Sequence, residues 1–162
     1  MTGEVSTLTK RIADELDEIQ RMAGHVQKDW QNFLRTGDDG YLKATAFDLH
    51  SFYTGLERVF MLIAEILDGR LSRGEGWHKM LLTQMALEIL NVRPAVISET
   101  TLDMLEEYLR FRHLVRNVYS FNLLPEKVQS LVERLPIALD QVIRDILAFA
   151  TLFLEKTKDP LE

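Results

Sequence analysis

Ile12, Leu16, Ile19, Met22, Ala23, Val26, Trp30 and Phe33 follow one another at steps of three and four, with no proline between them. That spacing lays all eight on one face of a helix and predicts a single amphipathic helix over about 5–35. A stripe of that length has to be hidden against other helices. The rest of the chain repeats the pattern, and no segment carries the strict alternation of a strand. TGDDG at 36–40 stops the first helix with two glycines around an acidic turn able to cap the next. A second helix is expected over about 41–68, a loop over Gly69 to Gly76, and a shorter helix over 77–90. NVRPAVIS interrupts the pattern at Pro94, with Ser98 placed to cap a helix over roughly 99–121. NLLP at 122–125 reads as a turn. Pro125 opens the last helix, and Pro136 is expected to kink or split it before it ends near 156. The expected fold is all-α, an antiparallel four-helix bundle with one additional short helix, forming one domain over residues 1–162.

Composition narrows the function classes. Of the 162 residues, 46% are apolar and 27% charged, which suits a packed soluble protein. The absence of cysteine rules out disulfides, thiolate zinc sites and cysteine nucleophiles. The longest clean apolar run, Ile146 to Leu154, is far short of the ~20 residues of a membrane helix, and the opening MTGEVSTLTKRIADELDEI lacks the apolar core of a signal peptide. A cytoplasmic protein without membrane contact is expected. A net charge of −6 disfavours long-range attraction to nucleic acid, so any such binding has to rest on a local patch.

Residues 110–121, RFRHLVRNVYSF, are such a patch. They hold three arginines in seven residues, with a histidine and no carboxylate. Like charges this close repel unless an anion or a partner surface meets them. On a helical wheel Phe111, Leu114, Val115, Val118 and Phe121 share one side, and Arg112, His113, Arg116, Asn117, Tyr119 and Ser120 share the other. Arg112 and Arg116 lie four apart, a spacing at which both guanidinium groups can hold one phosphate, with the His113 imidazole beside them. A base, an acid and an arginine are what RNA cleavage without a metal requires. The competing reading is an arginine-rich face paired with acids of a neighbouring helix or subunit, and spacing alone favours it.

The stretch resembles the signature of the HEPN superfamily, in its HepT-like branch of prokaryotic toxin ribonucleases. That signature is an arginine, four residues, a histidine, one residue and a tyrosine on a late helix. Arg112 and Tyr119 match it, His113 matches the polar residue often found after the arginine, and Asn117 stands at the histidine position. FYTGLERVF at 52–60, GEGWHKMLLTQM at 74–85 and FRHLVRN at 111–117 also look like this branch, so the resemblance covers roughly 40–135. It implies a bundle that dimerises with the two motif helices facing each other. It also implies an RNA substrate, no cofactor and a partner antitoxin of the minimal nucleotidyltransferase (MNT) type, which transfers AMP to the tyrosine, here Tyr119. Arg112, His113, Arg116 and Asn117 become the candidate catalytic residues, with Arg110, Arg112 and Arg116 as RNA contacts. Because an amide exchanges no proton near neutral pH, His113 is left as the one imidazole of the motif.

Among other residues, Glu57 lies in an apolar neighbourhood and wants a cation. It is read first as a structural partner of Arg112 or Arg116, behind the site, and second as a catalytic acid. His50 and Tyr53 lie a turn apart and are assigned no chemistry. His78, after Trp77 at a helix start, is expected to cap or pack. The four histidines form no metal-binding pattern, and GRLSRGEG lacks the lysine and spacing of a phosphate loop. The expected function is therefore a metal-independent endoribonuclease toxin of a HEPN/MNT-type pair. The alternatives are a catalytically degenerate homologue that docks a nucleotidyltransferase and presents a substrate to it, and a purely structural helical dimer.

Overall fold

The computed structural model describes residues 2–71, 73–117, 123–154 and 156, with side chains for all of these except 2, 116 and 117. The described residues form five α-helices: α1 (Thr2–Thr36), α2 (Asp39–Ile63), α3 (Trp77–Met85), α4 (Glu99–Asn117) and α5 (Pro125–Phe149). Short π-helical turns extend α2 (Ala64–Asp68) and α5 (Ala150–Leu154). No strand forms among the described residues, and the one β-bridge joins Ile89 to Arg93.

The local signals act as their chemistry demands. Gly37 ends α1 in the left-handed region (φ 68°), its N–H donating to Phe33 O at 2.8 Å. Asp38 caps α2 by accepting from the Gly40 N–H at 2.8 Å. Ser98 Oγ accepts from the Thr101 N–H at 3.2 Å, and Pro125 sits in the first turn of α5. Leu8, Ile12, Leu16, Ile19, Ala23, Val26 and Trp30 of α1 are buried, as the periodicity predicts. They pack on Leu49, Phe52, Leu56, Phe60 and Ile63 of α2, and each large side chain so buried stabilises the bundle by roughly 1.5–3 kcal/mol. A Cβ on Gly55 would stand 2.7 Å from Ile19 Cγ1, so glycine sets how closely α1 and α2 approach.

Two expectations fail, each for a tertiary reason. Pro136 does not split α5, which runs unbroken through it. A proline leaves the carbonyl four residues earlier without its helical donor. That carbonyl, Val132 O, instead accepts from Gln27 Nε2 of α1 at 3.2 Å. The helix expected over 77–90 stops at Met85, because Leu87 and Leu90 are exposed and have no core to join. Met85 O accepts from the Val96 and Ile97 N–H groups at 2.8 and 3.2 Å, while Gln84 O and Leu87 O accept from the Arg93 guanidinium at 3.2 and 2.9 Å. Arg93 thus supplies donors that the end of α3 lacks. Its remaining N–H groups hold Asp68 (2.6 and 2.8 Å) and Pro94 O (3.0 Å), so all five are satisfied.

Candidate functional site

Buried positions on α4 include Thr101, Leu105, Tyr108 and Arg112, at steps of four, three and four. Arg112 therefore ends the core stripe and does not lie on the open polar face that the wheel assigned it. It is 7% exposed, whereas Leu114, expected in the core, is 38% exposed. The wheel fails here because the face of α4 that meets α2 and α3 runs through Arg112. On α2 the corresponding stripe is Tyr53, Leu56, Glu57 and Phe60, all buried. The two stripes bring Glu57 and Arg112 together, with Arg112 Nε 3.3 Å from Glu57 Oε1.

His78 completes this group from the first turn of α3. It does not cap that helix, whose N-cap is Gly76. The ring stacks on Trp77 (centroids 3.7 Å apart, 30° between planes), and Nδ1 lies 2.5 Å from Glu57 Oε2. Nε2 stands 3.4 Å from Arg112 Nη1. Since a guanidinium only donates, Nε2 accepts there and Nδ1 carries the proton that it gives to Glu57. Exposed His113 meets the His78 ring edge to face, with centroids 5.5 Å apart and planes at 80°. One carboxylate, one guanidinium and one imidazole thus meet at one spot beneath the surface, with the exposed His113 ring against them from outside.

The spot is not fully satisfied. Among the described residues, Arg112 Nε has no hydrogen-bond partner despite its closeness to Glu57, and neither does the buried Tyr53 hydroxyl. Burial pushes the Tyr53 phenol far above its ordinary range; the Glu57 charge adds to this and Arg112 opposes it. Tyr53 is therefore a proton-bearing donor with nothing to give to.

Of the residues singled out in the sequence, Glu57, Arg112 and His113 come together. Arg110 does not join them. It is two residues, about 200°, around α4 from Arg112, and lines a separate groove of about 510 Å³ between α4 and α5 with Phe111, Leu114, Lys127, Ser130 and Leu131. The backbone of Arg116 and Asn117 continues α4, with Arg116 one turn beyond Arg112; their side chains, and the whole of Tyr119, lie outside the described residues. His78 is the participant that sequence reasoning placed elsewhere. Its one signal was its position inside GEGWHKMLLTQM, a segment already recognised as similar to the branch. Among the described residues no three His, Asp or Glu side chains are grouped to hold a metal, and no helix is long and apolar enough to cross a membrane.

No curated protein and no solved structure matches the chain. The family model described as HepT-like protein matches residues 44–153, a span that takes in Glu57, His78, Arg112 and His113. This chain belongs to the HepT-like family.

Proposed function

We propose that the protein is an endoribonuclease of the HEPN type, the toxin half of a pair with an MNT-type nucleotidyltransferase, cutting RNA without a metal. The observation that carries this reading is the position of His113, an exposed imidazole one residue from an arginine that Glu57 anchors from behind. Arg112 and Arg116 hold the phosphate and stabilise the charge that develops on it, His113 moves a proton, and Asn117 orients phosphate or hydroxyl. Arg110, in its own groove, meets the RNA further along the strand. The active form is a homodimer, and AMP placed on Tyr119 by the partner fills the arginine site with a phosphate and silences it. A second reading, a non-catalytic module that docks the nucleotidyltransferase, is favoured by one feature, Asn117 at the motif histidine position.

Purified protein incubated with total RNA in EDTA tests the choice. The expected outcome is cleavage leaving cyclic or 3′-phosphate ends, with His113→Ala lowering turnover about 10²–10⁴-fold while RNA affinity is nearly kept. Asn117→His brings little gain to an enzyme built around His113. No cleavage by the wild type, full activity in His113→Ala or a requirement for magnesium overturns the ribonuclease reading. Activity that appears only in Asn117→His establishes the degenerate module.

A further inference from the structure

Transphosphorylation of RNA moves two protons. One leaves the 2′-hydroxyl as it attacks phosphorus, and one arrives at the 5′-oxygen as its bond to phosphorus breaks. The motif of this chain offers one imidazole for the two tasks, since Asn117 exchanges none. We propose that His78, oriented by Glu57, is the second proton-transfer residue and acts as the base, with His113 as the acid; this rests on the ribonuclease reading above.

The geometry suits each part of that assignment. The Glu57 carboxylate holds Nδ1–H at 2.5 Å, which leaves the lone pair on Nε2 and stabilises the imidazolium formed when Nε2 takes a proton. Trp77 stacks on the ring and fixes its plane. Among the described residues, the contact of Nε2 is a long one, 3.4 Å, with Arg112 Nη1. A phosphate oxygen forms a shorter, charge-assisted bond to a guanidinium, about 2.7–2.9 Å, and displaces that contact. Phosphate binding therefore turns Arg112 toward the substrate and uncovers the lone pair of His78 in a single event. The 2′-O–H bond then breaks, its proton passing to His78 Nε2 as the O2′–P bond forms. The P–O5′ bond breaks with its electron pair on O5′, which takes the proton of protonated His113. The products are a 2′,3′-cyclic phosphate and a 5′-hydroxyl, and exchange with water resets both rings. His78 keeps 11% of its side chain open and His113 is exposed, with the rings 5.5 Å apart, so both border the place where one phosphate can sit.

Among the described residues, the charged and titratable groups in contact with His78 include Glu57 from α2 and Arg112 and His113 from α4; Glu57 and Arg112 also act on Tyr53, as does Glu106. The His78 limb of the pH profile is read in their presence. A base has to be unprotonated and an acid protonated, so wild-type kcat/KM is expected to fall on both sides of a bell-shaped profile.

The experiment measures cleavage of a 5′-labelled mixed-sequence oligoribonucleotide by the full chain across pH 5–9. His78→Gln is expected to lower kcat about 10²–10⁴-fold with affinity for the 2′-deoxy copy of that oligonucleotide nearly unchanged, and to abolish the acid-side limb. His113→Gln abolishes the alkaline limb. His78→Gly is expected to recover activity with added imidazole. In the wild type, which needs no substitution to fold, binding of the 2′-deoxy oligonucleotide should shift the His78 Nε2 resonance as Arg112 lets go. Wild-type cleavage together with an unaltered acid limb in His78→Gln, or an Nε2 resonance that ignores the oligonucleotide, overturns the assignment and leaves His78 a structural link. Absence of cleavage by the wild type overturns the ribonuclease reading itself, a different result from either of these.

Discussion

Two arginines are buried among the described residues, and they are held in opposite ways. Arg93 spends all five N–H groups on Asp68, Gln84 O, Leu87 O and Pro94 O, with distances between 2.6 and 3.2 Å. Arg112 meets its carboxylate at 3.3 Å through an Nε that makes no hydrogen bond, and its neighbour His78 at 3.4 Å. Asp68 also accepts from Gln84 Nε2 at 2.7 Å, whereas Glu57 is shared with an imidazole. An arginine whose donors are all filled has nothing left for a ligand and works as a lock, here joining the end of α2 to the end of α3. An arginine left short of partners, beside a phenol that is also short of one, is the kind that a phosphate can complete. Burial and charge alone do not tell the two apart; the hydrogen-bond account does.

The sharpest way to break the comparison is to remove each guanidinium and measure unfolding in denaturant. Arg93→Ala leaves the Asp68 carboxylate buried with no cation and strips carbonyl partners from the end of α3, so about 3–5 kcal/mol of stability should be lost. Arg112→Ala should lose markedly less, about 1–2 kcal/mol, because His78 stays on Glu57. Equal losses would erase the distinction between lock and ligand site.

A smaller effect tests the unsatisfied phenol. Tyr53→Phe deletes a buried hydroxyl that has no partner, so stability should hold or rise by up to about 1 kcal/mol in the same assay. A loss larger than that would mean that the hydroxyl is bonded in solution and that the Arg112 side is as complete as the Arg93 side.

The smallest effect concerns a buried carboxyl paired with another acid instead of an arginine. Burial, with a hydrogen bond and charge repulsion from Asp29, pushes the Asp48 carboxyl up to about 7. The folded chain then keeps a proton that the unfolded chain has already lost above its ordinary value of 3.8. The associated stability is present at acid pH and drains away as pH rises through about 7. Asp48→Asn should flatten the fall of Tm between about pH 4 and pH 7, the interval between the unfolded and folded values; an unchanged slope would show that the carboxyl is not held protonated.

What could be read from the sequence was whatever neighbouring residues decide among themselves. The stripe from Ile12 to Trp30, the stop at Gly37, the caps at Asp38 and Ser98 and the start at Pro125 are settled within a turn or two of chain, and each is found in place. Glu57 was also legible as a carboxylate needing a cation, because apolar residues crowd its segment, Leu56 before it and Val59 to Ala64 after it. The failures depend on contacts between distant segments. His78 looked like a packing residue because nothing near it in sequence shows that α2 delivers a carboxylate 21 residues away. Arg112 looked solvent-facing because a wheel has no knowledge of which neighbours surround it. Arg93 gave no signal beyond a break in periodicity, since its partners are an acid 25 residues back and the carbonyls of a helix end.

The bond from Gln27 to Val132 O spans 105 residues of chain, joining the first helix to the last. Until the two meet, a helical α5 carries a carbonyl at mid-length that its own backbone cannot satisfy. The ends of the chain must come together before that defect is mended, and contacts so far apart in sequence are slow to form. If closure of α1 on α5 falls on the late side of the folding barrier, Gln27→Ala is expected to speed unfolding more than it slows folding. The contact then governs how fast the bundle comes apart far more than how fast it assembles, so the chain's lifetime once folded is set partly by a glutamine on the opposite helix from the proline it compensates.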